Sequence, residues 1–180
     1  MNIFEYIFPK QCIICSKVGN NICNSCIKDL PYTLPSCFIC NKLNNGYYTH
    51  KDCLEEKIQC FTGWYLSEEL RKNLKRQTDL GIYSTHTQLL EILISHLRLN
   101  EVVESSNIYP IKGDDKNEDI LNMRLARSIS KSEGIKSNTL LVGNRIVRKE
   151  SLIEQVKGLY TEPFHLRILI LFESTIPEPQ

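Results

Sequence analysis

The chain has 180 residues, a hydrophobic fraction of 42%, a charged fraction of 24% and a formal net charge of +1. This is the size of one or two domains with the composition of an ordinary soluble globular protein. The near-zero balance excludes a global electrostatic pull toward nucleic acid or anionic membranes, and the longest apolar runs, such as residues 168–172, are far too short to span a bilayer.

In chain order, Ile3, Phe4, Ile7 and Phe8 fall at helical spacing and stop at Pro9, which predicts a short amphipathic helix. The segment lacks the basic start, long apolar core and small-residue cleavage site of a secretion signal. Four knuckles follow: Cys12-Ile-Ile-Cys15, Cys23-Asn-Ser-Cys26, Cys37-Phe-Ile-Cys40 and His50-Lys-Asp-Cys53. Each places two soft ligands at the tip of a tight turn, close enough to share one tetrahedral ion. Seven cysteines and one histidine make two closed four-coordinate sets, and sulfur-rich tetrahedral sets favour Zn²⁺ over Ca²⁺ or Mg²⁺.

The simplest pairing is sequential, with Cys12, Cys15, Cys23 and Cys26 as a Cys₄ site and Cys37, Cys40, His50 and Cys53 as a Cys₃His site. A cross-braced pairing, first knuckle with third, fits the spacing as well. In either arrangement no position is left open for water, so the two zinc ions are expected to be structural. A disulfide framework is the competing reading; without a mark of secretion, free thiols in the cytoplasm are favoured. An iron–sulfur cluster fits less well, since the knuckles form two complete tetrads of mixed type. Cys60, beyond the last ligand, reads as a small buried hydrophobe at a strand start.

After the knuckles the periodicity changes. Residues 61–65 are aromatic and strand-like. Ser67 reads as an N-cap for a helix over 68–77, with Glu68 and Glu69 in its first turn. This helix gathers Arg71, Lys72, Lys75 and Arg76 on one side, a candidate nucleic-acid or phosphate contact that is more commonly a solvated helix face. A second helix is predicted over 85–99 with Leu89, Leu90, Leu93, Ile94 and Leu97 inward; it carries His86 and His96, read as surface or satisfied core residues. Residues 108–111 suggest a short buried strand, followed by a loop over 112–119 and a helix over 119–131. A strand over 139–142, a helix over 149–157 and a strand over 167–172 complete the pattern. The last, Arg167-Ile-Leu-Ile-Leu-Phe172, has the uniform apolarity of a central strand buried on both faces. Alternation of strand and helix after residue 100 predicts a mostly parallel α/β sheet. The expected organisation is thus a double zinc ribbon with its N-terminal helix over 1–58 and an α/β domain over 59–180.

Several segments together resemble the ComF family, associated with DNA uptake in naturally competent bacteria. Residues 7–15, Ile-Phe-Pro-Lys-Gln-Cys-Ile-Ile-Cys, resemble the family's opening. Residues 63–75, Gly-Trp-Tyr-Leu-Ser-Glu-Glu-Leu-Arg-Lys-Asn-Leu-Lys, resemble its Tyr…Leu-Arg…Leu…Lys segment. Leu125-Ala126-Arg127 sits where such proteins carry Leu-Ala, and Gln155-Val-Lys-Gly-Leu-Tyr160 resembles the Asn-Val-x-Gly-Ala-Phe element before the last strand. The resemblance implies a second domain like the type I phosphoribosyltransferases. Their chemistry depends on two acidic residues and a Thr-Thr-Gly-x-Thr loop after a central strand, whose N–H groups cradle a 5′-phosphate.

The present chain departs from that pattern. Its corresponding stretch reads Phe172-Glu173-Ser174-Thr175-Ile176-Pro177-Glu178-Pro179-Gln180. One acid is replaced by phenylalanine, the glycine is missing, two prolines lack an N–H, and Glu178 adds charge where a phosphate would sit. The segment from Asp114 to Asp119 is acidic where the family's loop is basic. The transferase-like domain is therefore expected to be degenerate, incomplete at its C-terminus and without catalytic residues, with Glu173, Ser174 and Thr175 as remnants of a ribose-phosphate site. By resemblance the chain would be a non-catalytic adaptor with a protein partner in DNA uptake or processing. A phosphoribosyltransferase or phosphoribosyl-pyrophosphate-binding protein is one alternative. The other is direct nucleic-acid binding by the ribbons and the Arg71, Lys72, Lys75 and Arg76 face.

Overall fold

The computed structural model describes residues 9–55, 57–113, 115–130, 138–145, 149–159 and 165–173. The N-terminal helix expected before Pro9 lies outside them. Among its described residues the metal-rich segment contains one helix, α1 (Asn24–Asp29), and is built from a repeated turn. After Cys12-x-x-Cys15, Ser16 takes φ 59°; after Cys37-x-x-Cys40, Asn41 takes φ 59°. The Ser16 amide donates to the Cys12 carbonyl, and the Asn41 amide to that of Cys37, both at 2.8 Å. In each unit an antiparallel bridge closes the base, Gln11 with Val18 and Ser36 with Leu43. In both units backbone N–H groups point at the sulfur of the first cysteine.

From Gln59 the chain forms an α/β unit: β1 (Gln59–Tyr65), α2 (Glu68–Asp79), α3 (Ser84–His96), α4 (Asn100–Glu104), β2 (Ser106–Pro110), α5 (Lys116–Ile129), β3 (Asn138–Arg145), α6 (Lys149–Leu159) and β4 (His165–Glu173). The strand order is β1-β4-β3-β2, with every pair parallel. The central position of β4 explains its unbroken apolar run. Leu166, Ile168 and Ile170 face one core cluster, while Leu169 and Leu171 face the other.

The helices and ribbons divide between these two faces. Helices α2, α3 and α5 cover one, with Leu74, Leu89, Leu93 and Leu125 inward; the other carries α6 through Leu152 and Val156. Cys12, Ile22 and Ile27 of the first ribbon join the α2–α3–α5 cluster. Phe38, Leu54 and Ile58 of the second join the α6 cluster. A face served by one helix is thus completed by a metal-built unit. Direct bonds fix both docks: Gln88 Nε2 donates to the Ile22 carbonyl at 3.0 Å, and Lys149 Nζ to the Ile39 carbonyl at 2.9 Å.

Two expectations are corrected, and one helix was not expected. Helix α5 begins at Lys116 rather than 119, because Asp115 serves as its N-cap and accepts from the Glu118 amide at 2.9 Å. Helix α3 ends at His96, where Arg98 takes φ 54° and breaks the repeat before Leu99. The short helix α4 appears in a stretch with only Val102 and Val103 to signal it. Ser67 caps α2 as expected, accepting from the Leu70 amide at 3.3 Å.

Candidate metal centres and the cleft at the strand ends

The structure gathers the ligand atoms of Cys12, Cys15, Cys23 and Cys26 within 4.8 Å of one another, and separately those of Cys37, Cys40, His50 and Cys53. The pairing is therefore sequential rather than cross-braced. Cys15 Sγ and Cys23 Sγ are 3.6 Å apart, against about 3.8 Å for two thiolates on one tetrahedral zinc with Zn–S near 2.3 Å. Cys40 Sγ lies 3.2 Å from His50 Nδ1, which orients that nitrogen toward the shared centre. Cys60 belongs to neither set and is fully buried in β1.

Electrostatics fit a dication at both centres. Burial alone would raise the Cys12 thiol, but N–H groups of Cys15, Cys23 and Ile14 outweigh it and bring it down to about 6. Cys37 behaves alike: burial opposes, amides of Cys40, His50 and Ile39 prevail, and the value falls to about 7. The later members respond oppositely. Burial, and then the neighbouring sulfurs of Cys15, Cys23 and Cys12, push Cys26 far up. The Cys40 sulfur, burial and the Cys37 sulfur push Cys53 to about 11. Cys12, Cys23 and Cys37 are thus biased toward the thiolate, while Cys26 and Cys53 are held back by burial and by the neighbouring sulfurs. A Zn²⁺ ion removes that opposition by neutralising the cluster. The chain therefore carries two zinc-binding sites, Cys₄ and Cys₃His, each closed by four protein ligands and structural in kind.

The region where the resemblance places a ribose-phosphate site is different. Phe172 stands at the first acid position, only 4% exposed, with its ring edge-on to His86 at 6.2 Å between centroids. Ser174 and Thr175 lie outside the described residues, as does the side chain of Glu173. The acidic stretch at the start of α5 is taken up by internal contacts. Asp115 caps the helix, Asp119 accepts from the Gly113 amide at 2.7 Å, and buried Glu118 pairs with Arg145 at 3.0 Å.

The basic side of α2 is largely matched internally. Lys72 pairs with Glu68 at 2.8 Å and Lys75 with Asp79 at 3.2 Å. Arg71 donates to the Leu66 carbonyl at 3.2 Å. Arg71, Lys72 and Lys75, without Arg76, form one wall of a cleft of about 250 Å³ at the C-terminal ends of β1, β3 and β4. The start of α5 forms the opposite wall, and His86 and Asn144 line the interior. These two residues were not expected as site residues. For Asn144 the available signal was the polar break directly after the apolar run of β3; His86 gave none, because it lies on an otherwise apolar helix face.

A family model described as a double zinc ribbon domain matches residues 3–54 of the chain. No curated protein and no solved structure gives a significant match. Among the described residues no helix is long and apolar enough to cross a membrane.

Proposed function

We propose that this chain is a ComF-like, zinc-built binding module of the cytoplasm, whose transferase-like domain has given up catalysis and acts as an adaptor for a protein partner in DNA uptake or processing. The observation that carries the non-catalytic part is Phe172. A ribose-binding acid must reach the solvent-facing end of its strand, whereas this side chain is packed into the core against His86. The competence role rests on the sequence resemblance, because a fold by itself does not assign a partner. Affinity purification of the zinc-loaded chain from its native cell should return a DNA-handling protein. Recovery of none, with no gel shift on single- or double-stranded DNA, would remove the adaptor reading.

The cleft supports a second reading, since ligands of parallel α/β sheets bind outside the carboxyl ends of the strands. A phosphoribosyl ligand there would give heat in calorimetry with phosphoribosyl pyrophosphate and Mg²⁺. Direct nucleic-acid binding by α2 is less well supported, because Lys72 and Lys75 are already paired. It predicts affinity that falls steeply with salt.

A further inference from the structure

The cleft between α2 and α5 combines apolar walls, balanced charge and unanswered hydrogen-bonding groups. Leu66, Leu74, Leu121 and Phe172 supply the apolar surface. Four cationic side chains line it (Arg71, Lys72, Lys75, Arg145), set against four carboxylates (Glu68, Asp79, Asp115, Glu118). Three of the four cations already hold a carboxylate at 2.8–3.2 Å, and Arg71 donates to the Leu66 carbonyl, so most of the positive charge facing an incoming anion is already matched.

Two polar atoms of lining residues are different in kind. His86 Nδ1 and Asn144 Oδ1 are buried and have no hydrogen-bond partner. The Asn144 amide donates to Asn122 Oδ1 at 2.8 Å, and His86 is 1% exposed on the first turn of α3. Leaving such groups unsatisfied is costly, because each has given up its water without gaining a partner. Burial holds the His86 imidazole neutral, with its pKa lowered to about 4, so it adds no charge to the cleft.

We propose that this cleft is a binding site for an uncharged, predominantly apolar small molecule that carries an N–H or O–H donor for Asn144 Oδ1 and a hydrogen-bonding group for the His86 ring. Charge disfavours a phosphate-bearing ligand, because the four cations of the lining are balanced by four carboxylates. The inference goes beyond the adaptor reading and stands whether or not a protein partner is found. An occupied cleft would also satisfy two polar groups that otherwise weaken the core.

The test is an amide-resolved NMR titration of the full zinc-loaded chain with benzamide, 2-pyridone and phenol as neutral probes, against benzoate and inorganic phosphate. At least one neutral probe should move the signals of Asn144, Arg145 and Phe172 at millimolar concentration, with benzoate and phosphate leaving them in place. Asn144→Leu should weaken that neutral probe about tenfold, the size of one net hydrogen bond, with its melting temperature unchanged or raised. His86→Phe, which preserves the ring shape, provides the same comparison should the first variant fold poorly. The proposal is overturned if none of the neutral probes shifts these signals, if the anions bind in preference, or if neither variant weakens the response.

Discussion

Thr33 Oγ1 lies 2.6 Å from Thr62 Oγ1 and also donates to the Thr62 carbonyl at 2.9 Å. This buried contact joins the linker between the two ribbons to edge strand β1. Around it the Thr33 amide donates to the Gly63 carbonyl and the Tyr65 amide to the Pro31 carbonyl, each at 2.9 Å. An uncovered edge strand invites pairing with another chain, and here the ribbon linker takes that position. Further along, the Cys60 amide donates to the Tyr47 carbonyl at 2.8 Å, so the second ribbon continues the cover.

Metal removal should therefore unfold more than the ribbons. Metal analysis of purified protein is expected to give two zinc ions per chain. A strong chelator should lower the helical circular-dichroism signal of the α/β part in the same transition that releases zinc, and the stripped protein should self-associate through β1. A chain that loses both ions yet keeps its helical melt unchanged would show that the docks at Ile22, Ile39 and Thr33 contribute little.

His86 gives a pH dependence with a definite sign. Burial lowers its pKa from an ordinary 6.5 to about 4, so between these values the unfolded chain binds the proton and the folded chain does not. Stability is then complete above about pH 6.5 and falls as the pH drops toward 4, by on the order of 3 kcal/mol for a shift of this size. The nearby charged groups, Glu118 with Arg145 and Lys75 with Asp79, are paired and shared by a His86→Phe variant. Denaturant melts of both proteins across this range isolate the histidine. The variant should show a flatter profile, whereas parallel curves would assign the slope to other groups.

Gly63 is required by packing rather than by backbone freedom. A Cβ there would meet the Leu171 carbonyl of β4 and, at 3.1 Å, Leu93 Cδ2 of α3. Neither neighbour can yield, one being central-strand backbone and the other a fully buried side chain. Gly63→Ala should cost about 2–3 kcal/mol or more through overpacking. Gly81→Ala, at φ +74° with open space around it, should cost about 1 kcal/mol through backbone strain alone. Equal midpoints in urea for the two variants would contradict this contrast.

How far the sequence revealed this structure follows from the range of each signal. The eight zinc ligands were legible because coordination imposes local spacing, and β4 was legible because burial on both faces removes every polar residue from 168–172. Cap signals located α2 through Ser67, but several acidic candidates stood before α5, and only the structure shows that Asp115 takes the role. The docking of Phe38 and Leu54 against the α6 face depends on contacts with residues far along the chain, which no local pattern records. The pairing of Glu118 with Arg145 is equally non-local, so the acidic run before α5 gave no sign of its partner across the cleft.

Phe172 provides the sharpest test of the proposed non-catalytic reading. If it were simply a late substitution in an otherwise competent frame, Phe172→Asp would restore a ribose-binding acid. The geometry predicts the contrary. The new carboxylate would enter the space beside the neutral His86 ring, among Leu66, Leu74 and Leu121, where the cations of the cleft are already engaged: Arg145 by Glu118, Lys75 by Asp79, Lys72 by Glu68 and Arg71 by the Leu66 carbonyl. An unpaired buried charge costs several kcal/mol, so the variant should be destabilised by roughly 3–5 kcal/mol and show no heat with phosphoribosyl pyrophosphate and Mg²⁺. Phe172→Leu, which keeps the site apolar, should lose only about 1 kcal/mol through reduced packing volume. A stable Asp variant that binds the phosphoribosyl ligand would favour the phosphoribosyl-binding reading over the adaptor.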